Sequence, residues 1–198
     1  VLAPTVKWRA GFTQQWQRGS WALEGFSLPV RESILSYTGM QDPYSDTKWG
    51  RVNKLGGQLT GLYQFGGNWN IYTKLTGAFL HGKNVADNMR LNTDISVAYN
   101  FDLKGFDYFS IGPALTVQHY AKNLSHFTLG HGGYFSPQLQ YRVGAALDFL
   151  TDEGKAFIVK GRVGLGFQQF IEQKALYFPG HEQLQVLNGG VYAGSNQQ

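Results

Sequence analysis

Residues 156–170 read AFIVKGRVGLGFQQF. Phe157, Val159, Gly161, Val163, Leu165 and Phe167 are all apolar or small. The interleaved set, Ala156, Ile158, Lys160, Arg162, Gly164, Gly166 and Gln168, carries the charge. Strand side chains repeat with a period of two, so these are the two faces of one strand. A run of this length extends roughly 50 Å at about 3.3 Å per residue. Strands of soluble sheets average only about 5–6 residues. A tilted strand that crosses a bilayer needs roughly 9–11, apolar outside and polar inside. A strand of this kind imposes the same division on its neighbours.

The same alternation recurs along the chain. It predicts strands over 4–16, 20–31, 49–65, 69–81 and 91–101, another from the 102–106 turn to Tyr120, two more over 134–149 and 156–170, and a partial one over 186–193. In the first, Val6, Trp8, Ala10, Phe12 and Trp16 oppose Thr5, Lys7, Arg9, Gly11 and Thr13. In the second the apolar phase changes between Leu23 and Phe26, which predicts a bulge near Gly25. Pro29 lacks a ladder donor and predicts irregularity there.

The connections sort by length. Short ones are expected at 17–20, 66–68, 102–106 and 151–154, and long ones at 32–48, 82–90, 121–133 and 171–185. Outer-membrane barrels have short periplasmic turns and longer extracellular loops. The fold class expected is therefore all-β: an antiparallel transmembrane β-barrel of outer-membrane type, with about nine strands of a larger even number in this segment. The first strand runs down to a short turn, so the chain starts on the outer side. That polarity and the odd count predict that strands are missing on the N-terminal side. The tail Gly194-Ser195-Asn196-Gln197-Gln198 lacks a terminal aromatic, which predicts the same for the other end. The expected domain is residues 1–198, an incomplete barrel.

Composition agrees. Charged residues are 15%, aromatics 15%, and there are 26 glycines and no cysteine. Low charge with high Gly and aromatic content fits a barrel in a membrane, a soluble sandwich, or a lipocalin-type binder. A net charge of +4 is too small and too scattered for a nucleic-acid surface. No apolar run reaches the roughly 18 residues of a transmembrane helix. Outward Trp8, Trp16, Trp69, Tyr63 and Tyr99 suit an interfacial girdle.

Nothing suggests an enzyme. His81, His119, His126, His131 and His181 form no His-x-x-x-His or His-Glu-x-x-His pattern, so neither a metal nor a cofactor is expected. Gly130-His131-Gly132-Gly133 is no dinucleotide fingerprint, because no helix follows it. The inward set is the informative one. Lys7, Arg9, Lys54, Lys74, Asp94, Arg142, Asp148, Lys160 and Arg162 share a face with Tyr72, Tyr108, Tyr120 and many amides and hydroxyls. Such a face is either a solvated lumen with charge pairs across it or a wet path for a hydroxyl-rich polymer. In the second case aromatic planes meet the CH faces of sugars, and weak repeated contacts let a chain enter and leave.

Three stretches carry a resemblance. They are 29–40, PVRESILSYTGM, followed by Trp49-Gly50; 82–88, GKNVADN; and Lys122-Asn123-Leu124 through 130–138, GHGGYFSPQ. Together they resemble the C-terminal barrel domain of the cellulose synthase operon protein C family, the bacterial cellulose exporters. The resemblance implies a closed outer-membrane barrel behind a periplasmic tetratricopeptide scaffold absent from this chain, and an inner-membrane synthase complex as partner. It implies passage of a β-glucan or related polysaccharide past outer-membrane lipids, driven by synthesis, with no catalytic residues to carry over. By position it directs attention to Asn84, Asp87, Asn88, Arg90, Lys122, Asn123, Tyr134 and Gln138 as exit-loop residues. A structural or adhesive barrel with a plugged lumen is the alternative within the membrane.

Overall fold

The computed structural model describes residues 6–43, 45–152, 154 and 156–193. Expectations for Thr5 and for the 194–198 tail lie outside the described residues. In chain order the elements are β1 (Trp8–Trp16), β2 (Gly19–Pro29), α1 (Ile34–Tyr37), β3 (Met40–Gln41), β4 (Lys48–Gln64), β5 (Trp69–Lys83) and β6 (Val85–Asn100). Then follow β7 (Phe106–Tyr120), β8 (Leu139–Thr151), β9 (Lys160–Ile171), β10 (Ala175–Leu176), α2 (Glu182–Leu187) and β11 (Tyr192–Ala193). One antiparallel sheet runs β1-β2-β4-β5-β6-β7-β8-β9, with β3 beside β4. β10 and β11 form a separate pair. Among the described residues β1 and β9 are not paired with each other, so the sheet is open.

The facing follows the sequence alternation. Leu55, Leu91, Leu165 and Phe167 expose 52%, 56%, 82% and 89% of their surfaces on the convex side. Among the described residues no second sheet covers them, unlike in a soluble sandwich. At the short-turn end Trp69, Tyr99, Phe101, Phe109, Phe106 and Phe149 form a chain of edge-on rings, with centroids 4.9–6.3 Å apart. Trp69 is outward and exposed, as a girdle residue must be.

The concave side bends at glycines. A Cβ on Gly112 or Gly144 would collide with the carbonyl of Val97 or Leu165 on the neighbouring strand, and on Gly166 it would lie 2.5 Å from the Val143 carbonyl oxygen. Missing side chains let the strands curl there.

Several boundaries differ from expectation. Gly25 is not bulged: β1–β2 and β2–β4 pair without a break through it. Phe26 and Val30 are apolar because the concave side is packed, not wet, at that end. The bulge falls in β4 between Gly50 and Asn53, where Arg51 has φ 53°. The expected 82–90 loop is a hairpin: β5 continues to Lys83, Asn84 turns with φ 50°, and β6 starts at Val85. Asn tolerates that left-handed geometry. Residues 134–138 form a loop segment buried except at Phe135, and β8 starts at Leu139. β9 starts at Lys160, so the expected 151–154 turn is a longer connection. The expected strand over 186–193 is a strand only at its end, Tyr192–Ala193 (β11); the end of α2 and a turn take up the rest. Val186 and Leu187 alternate with nothing; they close α2, and Gly189 and Gly190 at positive φ stop it.

Candidate functional site

Two regions of the concave side merit attention: a packed cap at the long-loop end and an open polar trough below it.

The cap is assembled from three stretches distant in sequence. Ser33 caps α1 by accepting from the Ser36 N–H at 3.0 Å, and Ser36 reciprocates at 2.9 Å. The helix thrusts Leu35, fully buried, between Gly50 and Gly133, both at positive φ. A Cβ at Gly133 would be 3.0 Å from Leu35, so this approach needs glycine. Glu32 accepts from the Phe135 N–H at 2.9 Å. Asn84 donates to the Lys48 carbonyl at 3.0 Å, tying the hairpin to β4. Ala86 donates to the Gly130 carbonyl at 2.9 Å.

Asn88 is the centre of the cap and only 2% exposed. Its amide donates to the Lys122 carbonyl at 2.8 Å and the Tyr134 hydroxyl at 3.2 Å, and its carbonyl accepts from the Lys122 N–H at 2.9 Å. Tyr134 packs on Tyr120, with centroids 5.9 Å apart. Burial pushes the Tyr134 phenol up, against the opposing pull of the Asn88 hydrogen bond. Ser136 holds the Leu124 N–H at 2.7 Å.

The segment after β9 closes over this loop. Gln138 accepts from the Gln173 N–H at 2.7 Å, and Asn123 donates to the Gln173 carbonyl at 2.9 Å. His131 is fully buried and its Nε2–H donates to the Leu176 carbonyl at 2.9 Å. Desolvation is the main reason its pKa falls to about 4.

Of the expected exit-loop residues, Asn84, Asn88, Lys122, Asn123, Tyr134 and Gln138 are thus joined in one bonded cap. Asp87 is instead exposed, 2.6 Å from His81. Asp87, Asn88 and Arg90 lie on strand β6 rather than on a loop, because pairing continues past the apolar belt. Arg90 donates to Gln118 at 2.7 Å and stands 5.8 Å over the Tyr120 ring. Tyr120 faces inward as expected but is buried beneath the cap rather than lining open space.

Below the cap lies a trough of about 660 Å³. Tyr72 and Lys74 from β5 and Asp94 from β6 form one wall; Arg142 from β8 and Arg162 from β9 form the other. Strands four positions apart in the sheet therefore confront one another across it. Asp94 accepts from Asn92 at 2.7 Å and Thr116 at 2.8 Å. Arg142 donates to Gln168 through Nε at 3.2 Å and Nη2 at 2.9 Å. Arg162 and Asp148 are 3.6 Å apart, and Arg9 and Glu24 3.4 Å apart. Lys160 opens β9 exposed, and Lys7 is exposed just before β1. Tyr108 and Lys54 lie on β7 and β4 with part of each side chain covered. Among the described residues no group of three or more His, Cys, Asp or Glu side chains could hold a metal ion.

A curved antiparallel sheet with a greasy exterior and a wet, charge-paired interior defines the class: a β-barrel sheet of outer-membrane type, here open. The sequence places it further. The chain belongs to the family described as cellulose synthase operon protein C C-terminus, whose model matches residues 1–198. Over 84% of its length it is 34% identical to cellulose synthase operon protein C of Xanthomonas axonopodis pv. citri, and over 80% it is 30% identical to that of Pseudomonas fluorescens. A match of 34% identity over 60% of the chain is found in the Salmonella typhimurium protein of the same name. The matches cover 11%, 12% and 10% of those relatives, so the chain spans about a tenth of their length.

Proposed function

We propose that this segment forms part of the wall and the capped mouth of an outer-membrane conduit that exports an exopolysaccharide, cellulose in the first place. The observation that carries this reading is the inversion of the sheet: large apolar side chains exposed outside, and a polar trough inside. A hydroxyl-rich polymer slides past amides, hydroxyls and the Tyr72 ring through weak contacts that break easily. The protein supplies a path, and polymer synthesis at the inner membrane supplies the drive. Further strands beyond this segment close the barrel, and a periplasmic scaffold aligns it with the synthase.

This segment has no cysteine, so one introduced here is its single labelling site. In the intact protein, Ser96→Cys on the trough surface is labelled with a bulky maleimide in cellulose-producing cells. Cellulose at the cell surface falls and accumulates in the periplasm, whereas labelling Leu75→Cys on the exterior changes nothing. Undiminished surface cellulose after labelling of Ser96→Cys defeats the reading.

The hydrogen-bonded cap favours a second reading, a plugged structural or adhesive barrel. Planar-bilayer conductance separates the two: an exporter opens, and a plugged barrel records no openings.

A further inference from the structure

The trough is more cationic than a path for a neutral polymer requires. Lys74, Arg142 and Arg162 line it against one carboxylate, Asp94. Asp94 lies opposite Lys74 in the strand register, and Asn92 and Thr116 occupy its oxygens. Asp148 partly offsets Arg162 from 3.6 Å. Arg142 has no carboxylate in ion-pair distance among the described residues. Among the described residues its hydrogen-bond partner is Gln168, a neutral acceptor that engages two of its five N–H groups. A guanidinium left with free parallel donors matches a carboxylate or phosphate bidentately.

The trough is also far larger than a bare anion. Its floor is the register row Ser96, Ala114, Gly144 and Gly166, which presents almost no side chain. The two glycines are held to hydrogen by the backbone of the neighbouring strand, so no side chain rises from the floor there. Tyr72 stands at its edge. A floor bare of side chains, one aromatic wall and a guanidinium without a carboxylate partner fit a pyranose ring bearing a negative group.

We propose, building on the export reading, that this trough is a subsite for an anionic group carried on a sugar residue, a carboxylate or a phosphate ester, with Arg142 as its principal contact and Arg162 and Lys74 as support. The conduit then favours a polymer bearing such groups over an unmodified one.

The test uses the intact protein in planar bilayers. The probes are cellohexaose, the same oligomer oxidised to carboxylates at C6, and sodium phosphate alone. The carboxylated oligomer occludes the current at about tenfold lower concentration than the neutral one, the scale of one charge-assisted hydrogen bond. Arg142→Gln together with Arg162→Gln brings the two probes to the same concentration, and raising the salt narrows the gap in the wild type. Equal occlusion by the two oligomers in the wild type overturns the subsite while leaving the export reading standing. Phosphate that abolishes the preference at matched concentration assigns the site to a free anion and overturns the sugar-borne group. If neither oligomer occludes, the export reading fails, and the subsite with it.

Discussion

Asn88 and Tyr134 lie 46 residues apart in the chain and meet at 3.2 Å inside the cap, where the Asn88 amide donates to the tyrosine hydroxyl. The same Asn88 side chain replaces a strand partner for Lys122, satisfying both its N–H and its carbonyl. One side chain thus seats the returning loop against β6.

Asn88→Leu should unseat that loop. It removes the partner of the Lys122 N–H and carbonyl, two part-buried hydrogen bonds worth about 0.5–1.5 kcal/mol each. The sheet has its own ladder and survives. Limited proteolysis in detergent should cut within 121–138 in the variant and spare the wild type, while heat-resistant migration on gels is kept. Equal protection of both proteins contradicts the assigned role.

The two faces of β9 should answer substitution differently. Val163 is outward and exposed, and its neighbour Arg162 is inward. Val163→Arg should cost about 2–4 kcal/mol near the bilayer midplane. Arg162→Ala removes only a half-exposed ion pair and should leave insertion unchanged. Folding titrations into lipid vesicles measure both, and equal tolerance reverses the facing.

The cap should loosen in acid. The folded His131 has a pKa of about 4, below its ordinary value of 6.5, so the unfolded loop takes up the proton first as pH falls. Its contribution is therefore complete above pH 6.5, declines as pH falls towards 4, and is flat below that. The full loss is about 3 kcal/mol. Amide protection factors in 121–138, taken against the chemical exchange rate at each pH, should fall over this window, and His131→Gln should flatten the response. A cap whose exchange tracks only the chemical rate across that range refutes it.

The strand faces were legible because a period of two survives wherever one side meets solvent and the other lipid. Leu91 and Leu165 on one side and Asp94 and Arg142 on the other needed nothing more. What misled was the cap. Phe26 and Val30 look out of phase only if the concave side is wet throughout. In 82–90, Lys83, Asn84, Asp87 and Asn88 carry the composition of a loop, yet all but the turn residue Asn84 lie on strands that continue past the apolar belt. A signal for α1 was present: Ser33 and Ser36 at capping-box spacing, with Gly39 beyond the end. No local pattern announced that the segment after β9 would fold back onto His131, because that contact depends on burial achieved by distant residues.

The row of edge-on rings from Trp69 to Phe149 gives the sheet a continuous waterline at the short-turn rim. At the opposite rim Trp49, Tyr120 and Tyr134 are turned inward and committed to the cap. In a thicker or thinner bilayer the ringed rim therefore keeps its depth, and the adjustment falls on the far side. There the β5–β6 hairpin stands clear of the greasy belt, like the slack end of a moored rope.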